Sequence, residues 1–307
     1  MALKQVKNKI ISTKKTGQVT KAMESVSAVK MRKSQERAKA GRPYVHAALR
    51  ILAQLASSQE AAQHPLTQKR QDGKKLVVIV TSDKGLAGSV NSAVLKKTEE
   101  SFSKIEGLNP SMMEVDTICV GKKAVDFAKR EGKAVLGEYT NVSDEVTVED
   151  VYGITKIIMG EFESGKYREV EVVYQNFLST FEQEPTRRTV LPLDPAEIHY
   201  IMRGIKPKAG KGSDDLEPAD TAITYTIEPS AEEVLSSLIP RLVQIIIYHA
   251  LLESKASEHS ARMVAMKNAT DKSKEVIKAL TIQYNKARQS AITAEVSEIT
   301  AGVEAMK

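Results

Sequence analysis

Toward the C-terminus, seam positions recur in alternating steps of three and four: Met263, Met266, Thr270, Ser273, Ile277, Leu280, Tyr284, Ala287, Ala291 and Ala294. A 3.5-residue repeat held for more than four heptads is the seam of a coiled coil. It lies within Arg241 to Ala301, sixty-one residues without one glycine or proline. As helix, that run would form a rod of about 90 Å. A globular domain of this size is far smaller across, so the pattern predicts a rod that projects from one. Near its end the seam thins to Ala287, Ala291 and Ala294, which bury little apolar area. A second row, Ile292, Val296, Ile299, Val303 and Met306, has the same spacing. A helix with two apolar faces near its tip requires two neighbours or a surrounding sleeve. Packing into the chain's own core would satisfy the same pattern.

The N-terminal pattern is also helical. Leu3, Val6, Ile10 and Thr13, then Ser12, Thr16, Val19, Met23 and Val26, trace faces expected to shift at Gly17. Arg42-Pro43 predicts a bend, and helical composition resumes from His46 to Gln59 before His64-Pro65 stops it. At the other end, Ser230-Ala-Glu-Glu233 reads as a capping box opening the terminal helix, with a junction at Pro240. Two long terminal helices flanking a compact middle most simply meet as an antiparallel pair.

The middle changes period. Lys75 to Thr81 is a continuous apolar, β-branched run, the mark of a buried parallel strand. After the turn Ser82 to Gly88 come a helix from Val90 to about Ile105, a strand at Thr117 to Val120 and a helix at Lys122 to Arg130. A short strand around Ala134 to Leu136, a helix from Val148 to Gly165 and a strand at Glu169 to Phe177 follow, with Thr189 to Leu191 open as a further pairing. Alternating strand and helix predicts an α/β class with a mostly parallel sheet. The expected organisation is an antiparallel coiled-coil shaft from residues 1–63 and 228–307, a Rossmann-like α/β base domain over 74–200, and an exposed loop or insertion at 203–222.

Charge adds a second asymmetry. The first 42 residues hold twelve Lys or Arg against Glu24 and Glu36, a local balance of +10, while the whole chain is +6. Nucleic-acid phosphates, an acidic protein partner or plain solvation would each account for it. No aromatics interleave with the basic residues, which counts against single-strand stacking. The lone Cys119 excludes an internal disulfide and any cysteine-only metal cluster. No run of eighteen apolar residues occurs, so no membrane span is expected. The turn Gly85-Leu-Ala-Gly88 follows a strand and precedes a helix, as a phosphate site requires. It lacks the third glycine of G-x-G-x-x-G and the lysine–serine pair of a P-loop. The five histidines are scattered without metal-ligand spacing, and no constellation points to catalysis.

Ala256 to Asp271, with Tyr284-Asn-Lys-Ala-Arg-Gln289 and Ile292-Thr293, resembles the C-terminal signature of the γ subunit of the rotary (F-type) ATP synthase. Ile10 to Arg32, around Met23, resembles that family's other end. Thr81 to Gly88 resembles its central domain, and Tyr225 to Pro229 its lower stalk. The resemblance covers the full length. It implies a long antiparallel coiled coil of N- and C-terminal helices plus a Rossmann-like α/β central domain. It implies a non-catalytic central-stalk rotor, without cofactor or metal, that transmits rotation between an ion-driven c-ring and the α/β hexamer. Partners would be the α and β subunits, the ε subunit and the c-ring. The setting would be the cytoplasmic face of a bacterial plasma membrane. Met23, Arg262, Arg288, Gln289, Thr293 and Glu295 match positions implicated in hexamer contact or coupling, and Tyr225 and Glu228 match the region touching the c-ring. Ile227 stands where the family often has a second Tyr, and Cys119 alone cannot form the paired-thiol switch of chloroplast relatives. The alternatives from residues alone are a Rossmann-like nucleotide-binding enzyme and a coiled-coil scaffold binding nucleic acid.

Overall fold

The computed structural model describes residues 3–55, 63–102, 114–194 and 227–306. The 203–222 segment and Tyr225 lie outside these. The elements are α1 (Leu3–Leu55), β1 (Lys74–Val80), α2 (Val90–Phe102), β2 (Val115–Val120), α3 (Lys122–Arg130), β3 (Ala134–Tyr139), α4 (Val148–Glu163), β4 (Tyr167–Phe177), β5 (Gln183–Leu191) and α5 (Ala231–Ala305). They fall into two compact units, one of Met1–Ser27 and Arg262–Lys307, the other of Ala28–Ala261.

The larger unit is built on a five-stranded sheet of order β3-β2-β1-β4-β5. The first four strands are parallel, and β5 runs antiparallel to β4 at the edge, with Val172 opposite Arg188. Period-two alternation explains why both faces of the central strands are apolar. Leu76, Val78 and Val80 of β1 join Val151, Ile154, Ile158 and Phe162 of α4, Leu52 of α1 and Leu242, Val243 and Ile247 of α5. Val77 and Ile79 point the other way, to Val94 of α2 and Ala124 and Phe127 of α3. The lower parts of both terminal helices are therefore part of the α/β core.

β5 extends well beyond the Thr189–Leu191 pairing left open by the sequence. Pro185 and the charged Glu184, Arg187 and Arg188 mark it as an edge strand, where a missing N–H is tolerated. Pro43 and Pro240 both lie inside helices that continue past them. At the start of α5, the Ser230 hydroxyl accepts the Glu233 N–H at 3.2 Å, the serine half of the expected capping box. One property of α5 escapes a count of uninterrupted apolar runs. The helix contains an eighteen-residue stretch long and apolar enough to cross a membrane. Within the protein 56% of that stretch is buried, and Leu235, Ile239, Leu242, Val243 and Ile247 of the same helix spend their apolarity on the sheet.

In the smaller unit the C-terminal seam holds as far as Ala287. Met266, Thr270, Ser273 and Leu280 are buried, and Met263, Ile277, Tyr284 and Ala287 half-buried, whereas Ala291 and Ala294 are exposed. The N-terminal face departs from expectation. The seam does not shift at Gly17 but runs straight on through Val6, Ile10, Thr13, Gly17, Thr20 and Ser27, while Val19 and Val26 are 58% and 53% exposed. Small residues explain the difference. A Cβ on Gly17 would stand 3.2 Å from Ser273 Cβ. Close backbone approach selects glycine, serine and threonine, so hydropathy points to the wrong face.

Candidate partner-binding surfaces

The smaller unit presents two kinds of surface. Inside its seam, Thr20 Oγ1 and Thr270 Oγ1 lie 2.7 Å apart. Outside it, every residue from Arg288 to Met306 is exposed. The second apolar row, Ile292, Val296, Ile299, Val303 and Met306, is between 51% and 83% exposed. The reading in which this row fills the chain's own core is thereby removed. Ile11, Val19 and Val26 form a comparable uncovered row on α1, with Ile282 on α5. A surface of this kind, apolar and rimmed by Lys, Arg and Glu, marks a protein interface.

The residues singled out by sequence separate by environment. Arg288, Gln289, Thr293 and Glu295 share the exposed tip; the Thr293 hydroxyl donates to Gln289 O at 2.9 Å. Met23 is half-buried. Arg262 is only 8% exposed, so its guanidinium serves contacts within the chain. Glu228 is exposed in the larger unit, ahead of α5, and Ile227 beside it packs partly against the core.

The strand–turn–helix region of the larger unit is the candidate anion site. The Gly85–Gly88 turn itself leads into α2, whereas the neighbouring helix terminus, that of α3, is taken by the chain's own groups. Asp83 Oδ1 accepts the Lys122 N–H at 3.0 Å and Oδ2 accepts the Asn141 N–H at 3.0 Å. Next along, the Ala124 N–H goes to Thr81 Oγ1 at 2.9 Å and the Lys123 N–H to Ser82 O at 3.4 Å. The first three donors of α3 thus bind the chain's own oxygens, and a carboxylate holds the position a phosphate would need. Gly121 permits this: its φ is +88°, and an added Cβ would stand 2.2 Å from Thr81 O. Asn91 completes the turn, accepting the Ser82 N–H at 3.0 Å. No metal-ligating cluster occurs among the described residues. A cavity lined by Val172, Tyr174, Arg188, Ile246, His249, Ala250 and Glu253 measures ≈ 10 Å³, room for about one water. Burial pushes the Tyr174 phenol well above its usual range there.

One further cluster gives no signal in the sequence. The loop between β3 and α4 carries adjacent carboxylates, Asp144 and Glu145. Asp144 Oδ2 accepts from Lys30 Nζ at 2.5 Å and Oδ1 from His259 Nε2 at 3.0 Å, with Lys255 Nζ at 3.7 Å. Burial alone would push this carboxyl up. The Lys30 hydrogen bond and the positive charges of His259, Lys255 and Lys30 outweigh it and hold the group down at about 2. Glu145 accepts from Lys33 at 3.1 Å and Arg37 at 2.8 Å, which lowers its pKa too.

A family model described as ATP synthase matches residues 2–306. The "ATP synthase gamma chain" of Staphylococcus saprophyticus is 36% identical over 306 residues, covering 100% of this chain and 99% of its own. That of Roseiflexus sp. (strain RS-1) is 40% identical, covering 99% and 98%. This chain belongs to the ATP synthase gamma-chain family. Solved structures share the family's fold. A chain of the Euglena gracilis mitochondrial ATP synthase (OSCP/F1/c-ring, rotational state 3) superposes with a TM-score of 0.62 at 19% identity, covering 99% of this chain and 94% of that one. A chain of the Tetrahymena thermophila mitochondrial ATP synthase (central stalk/c-ring) gives 0.56 at 23% identity, covering 82% and 99%.

Proposed function

We propose that this chain is the central-stalk rotor subunit of an ATP synthase, carrying rotation between the ion-driven c-ring and the catalytic α/β hexamer without chemistry of its own. Family membership supplies the setting, a subunit of a membrane-associated complex with the α/β hexamer, ε and c-ring as neighbours. The observation that supports the shaft role best is the tip: residues 288–305 form helix exposed on all sides, with an apolar row no other described residue covers. Such a segment is stable in water only when something surrounds it. A shaft with unequal sides shifts each β subunit's conformational equilibrium by the difference in contact energy its facing side offers. Rotation then becomes sequential tightening and release of nucleotide at sites on the partners.

Within this reading, Met23, Arg288, Gln289, Thr293 and Glu295 contact the hexamer. Arg262, being buried, acts on coupling through the helix pair, and Tyr225 and Glu228 meet the c-ring. The complex sits with this chain on the cytoplasmic face of a bacterial plasma membrane. The test is reconstitution with α and β subunits while tracking a probe attached to this chain. ATP should drive stepwise rotation in one direction; a probe that stays still while the complex hydrolyses ATP would refute the rotor role. Hydrolysis by the purified chain alone would refute its non-catalytic nature.

A further inference from the structure

We propose that Asp144 and Glu145 form a clamp that fixes both terminal helices to the α/β unit against twisting, and that this clamp sets the stiffness with which the rotor transmits torque. The inference rests on the rotor reading above.

Its position is what gives the clamp this role. Lys30 and His259 lie within three residues of Ser27 and Ala261, the ends of the segments assigned to the smaller and larger units. Asp144 binds both helices at once, Lys30 on α1 and His259 and Lys255 on α5. Glu145 extends the hold along α1 through Lys33 and Arg37, one turn apart. An ionised carboxylate only accepts, so His259 donates its Nε2–H to Asp144.

The loop bearing these carboxylates is itself held. Asn141 N–H donates to Asp83 at its start, and Val146 is buried at its end. Thr147 and Asp150 close a capping box on the helix that follows. The sheet's strand ends and the two helices are therefore joined through one short, pinned segment.

The two helices are not held equally. On α5, Ser257 Oγ donates to Gln175 O at 3.1 Å, Ser260 Oγ to Thr180 O at 2.6 Å, and Lys255 Nζ to Val142 O at 2.9 Å, all besides Asp144. Among the described residues, the side chains of α1 that bond to this loop are Lys30, Lys33 and Arg37, each to one of the two carboxylates. Shear between α1 and the α/β unit is thus resisted chiefly by Asp144 and Glu145, while α5 keeps its serine anchors without them.

The experiment uses the assembled complex with the hexamer fixed to a surface and a probe on the α/β unit, stalled without ATP. Asp144→Asn with Glu145→Gln should broaden the probe's angular spread by at least about 1.5-fold, and Asp144→Glu should stay at the wild-type width. An unchanged spread in the double variant, beside a wild type that rotates, overturns the clamp alone. A wild type that never rotates overturns the rotor reading and the clamp's mechanical role with it. Lower thermal stability without added spread would show a purely structural role and equally overturn the proposal. Should the double variant fail to assemble, Lys30→Gln with Lys33→Gln and Arg37→Gln removes the same three contacts from the α1 side and reads the same quantity.

Discussion

Thr20 and Thr270 face each other across the helix pair with their hydroxyl oxygens 2.7 Å apart, although 250 residues separate them. Thr20 Oγ1 also lies 3.1 Å from Gly17 O, and Thr270 Oγ1 2.8 Å from Met266 O. Two hydroxyl protons serve three contacts, so one hydroxyl donates across the seam while the other donates to its own helix. Removing one partner leaves a buried hydroxyl short of a bond, and Thr20→Val should cost about 1 kcal/mol. Replacing both with Val should restore most of that loss. Thermal unfolding of the two single variants and the double variant measures the coupling; additive losses would contradict it.

Gly121 offers the sharpest structural test. Its positive φ and the 2.2 Å approach of a hypothetical Cβ to Thr81 O leave no room for a side chain. Gly121→Ala should destabilise by more than about 3 kcal/mol, because backbone rather than a side-chain tip must yield. Denaturant unfolding checks it. At the exposed Gly85 an added Cβ would meet nothing within 4 Å, which makes it the control position.

Acid sensitivity follows from Asp144. Its pKa is held below the ordinary 3.8, at about 2. A lowered carboxyl contributes stability above its unfolded pKa and loses it as pH falls through the folded value. The gap between wild type and Asp144→Asn should therefore be at its full size at about pH 5 and shrink as pH falls through about 2. Solvent screening at this half-exposed site limits it to about 1 kcal/mol. A gap that grows on acidification would contradict the assignment.

Met23→Lys places a cation at a half-buried position on α1, beside the hexamer in the proposed assembly. A new cation at a proposed hexamer contact should lower coupling. The readout is protons pumped per ATP hydrolysed in vesicles; equal ratios for variant and wild type would count against the contact.

Val296 and Ile299 are 56% and 62% exposed. Val296→Asp with Ile299→Asp should leave the larger unit's unfolding unchanged within about 0.5 kcal/mol, yet weaken assembly with the hexamer several-fold. Binding measured by co-sedimentation separates the two effects. Intact assembly would remove the tip from the interface.

Long periodic segments are legible from the residues alone. The spacing predicts α3 to its terminal residues, and the C-terminal seam is buried as far as Ala287, because apolar side chains there do the packing. The N-terminal seam misleads for the opposite reason: half-buried Gly17 and buried Thr20 and Ser27 line it for their small size, which hydropathy does not register. The edge strand β5 is half legible, its charges masking a pairing made by backbone groups. Among the candidate surfaces, the double apolar face marks the tip, but the pattern fits packing into the chain's own core equally well, and only the structure shows the row exposed. The Asp144–Glu145 cluster is illegible, since its partners lie more than a hundred residues away on either side.

Asp83 gives the start of α3 an unusual independence. Folds that seat a metabolite at a helix terminus gain stability with its concentration, by mass action. Here the counter-charge is covalently part of the chain, present once per molecule and impossible to wash out. The start of α3 thus keeps its counter-charge whatever the surrounding solution holds.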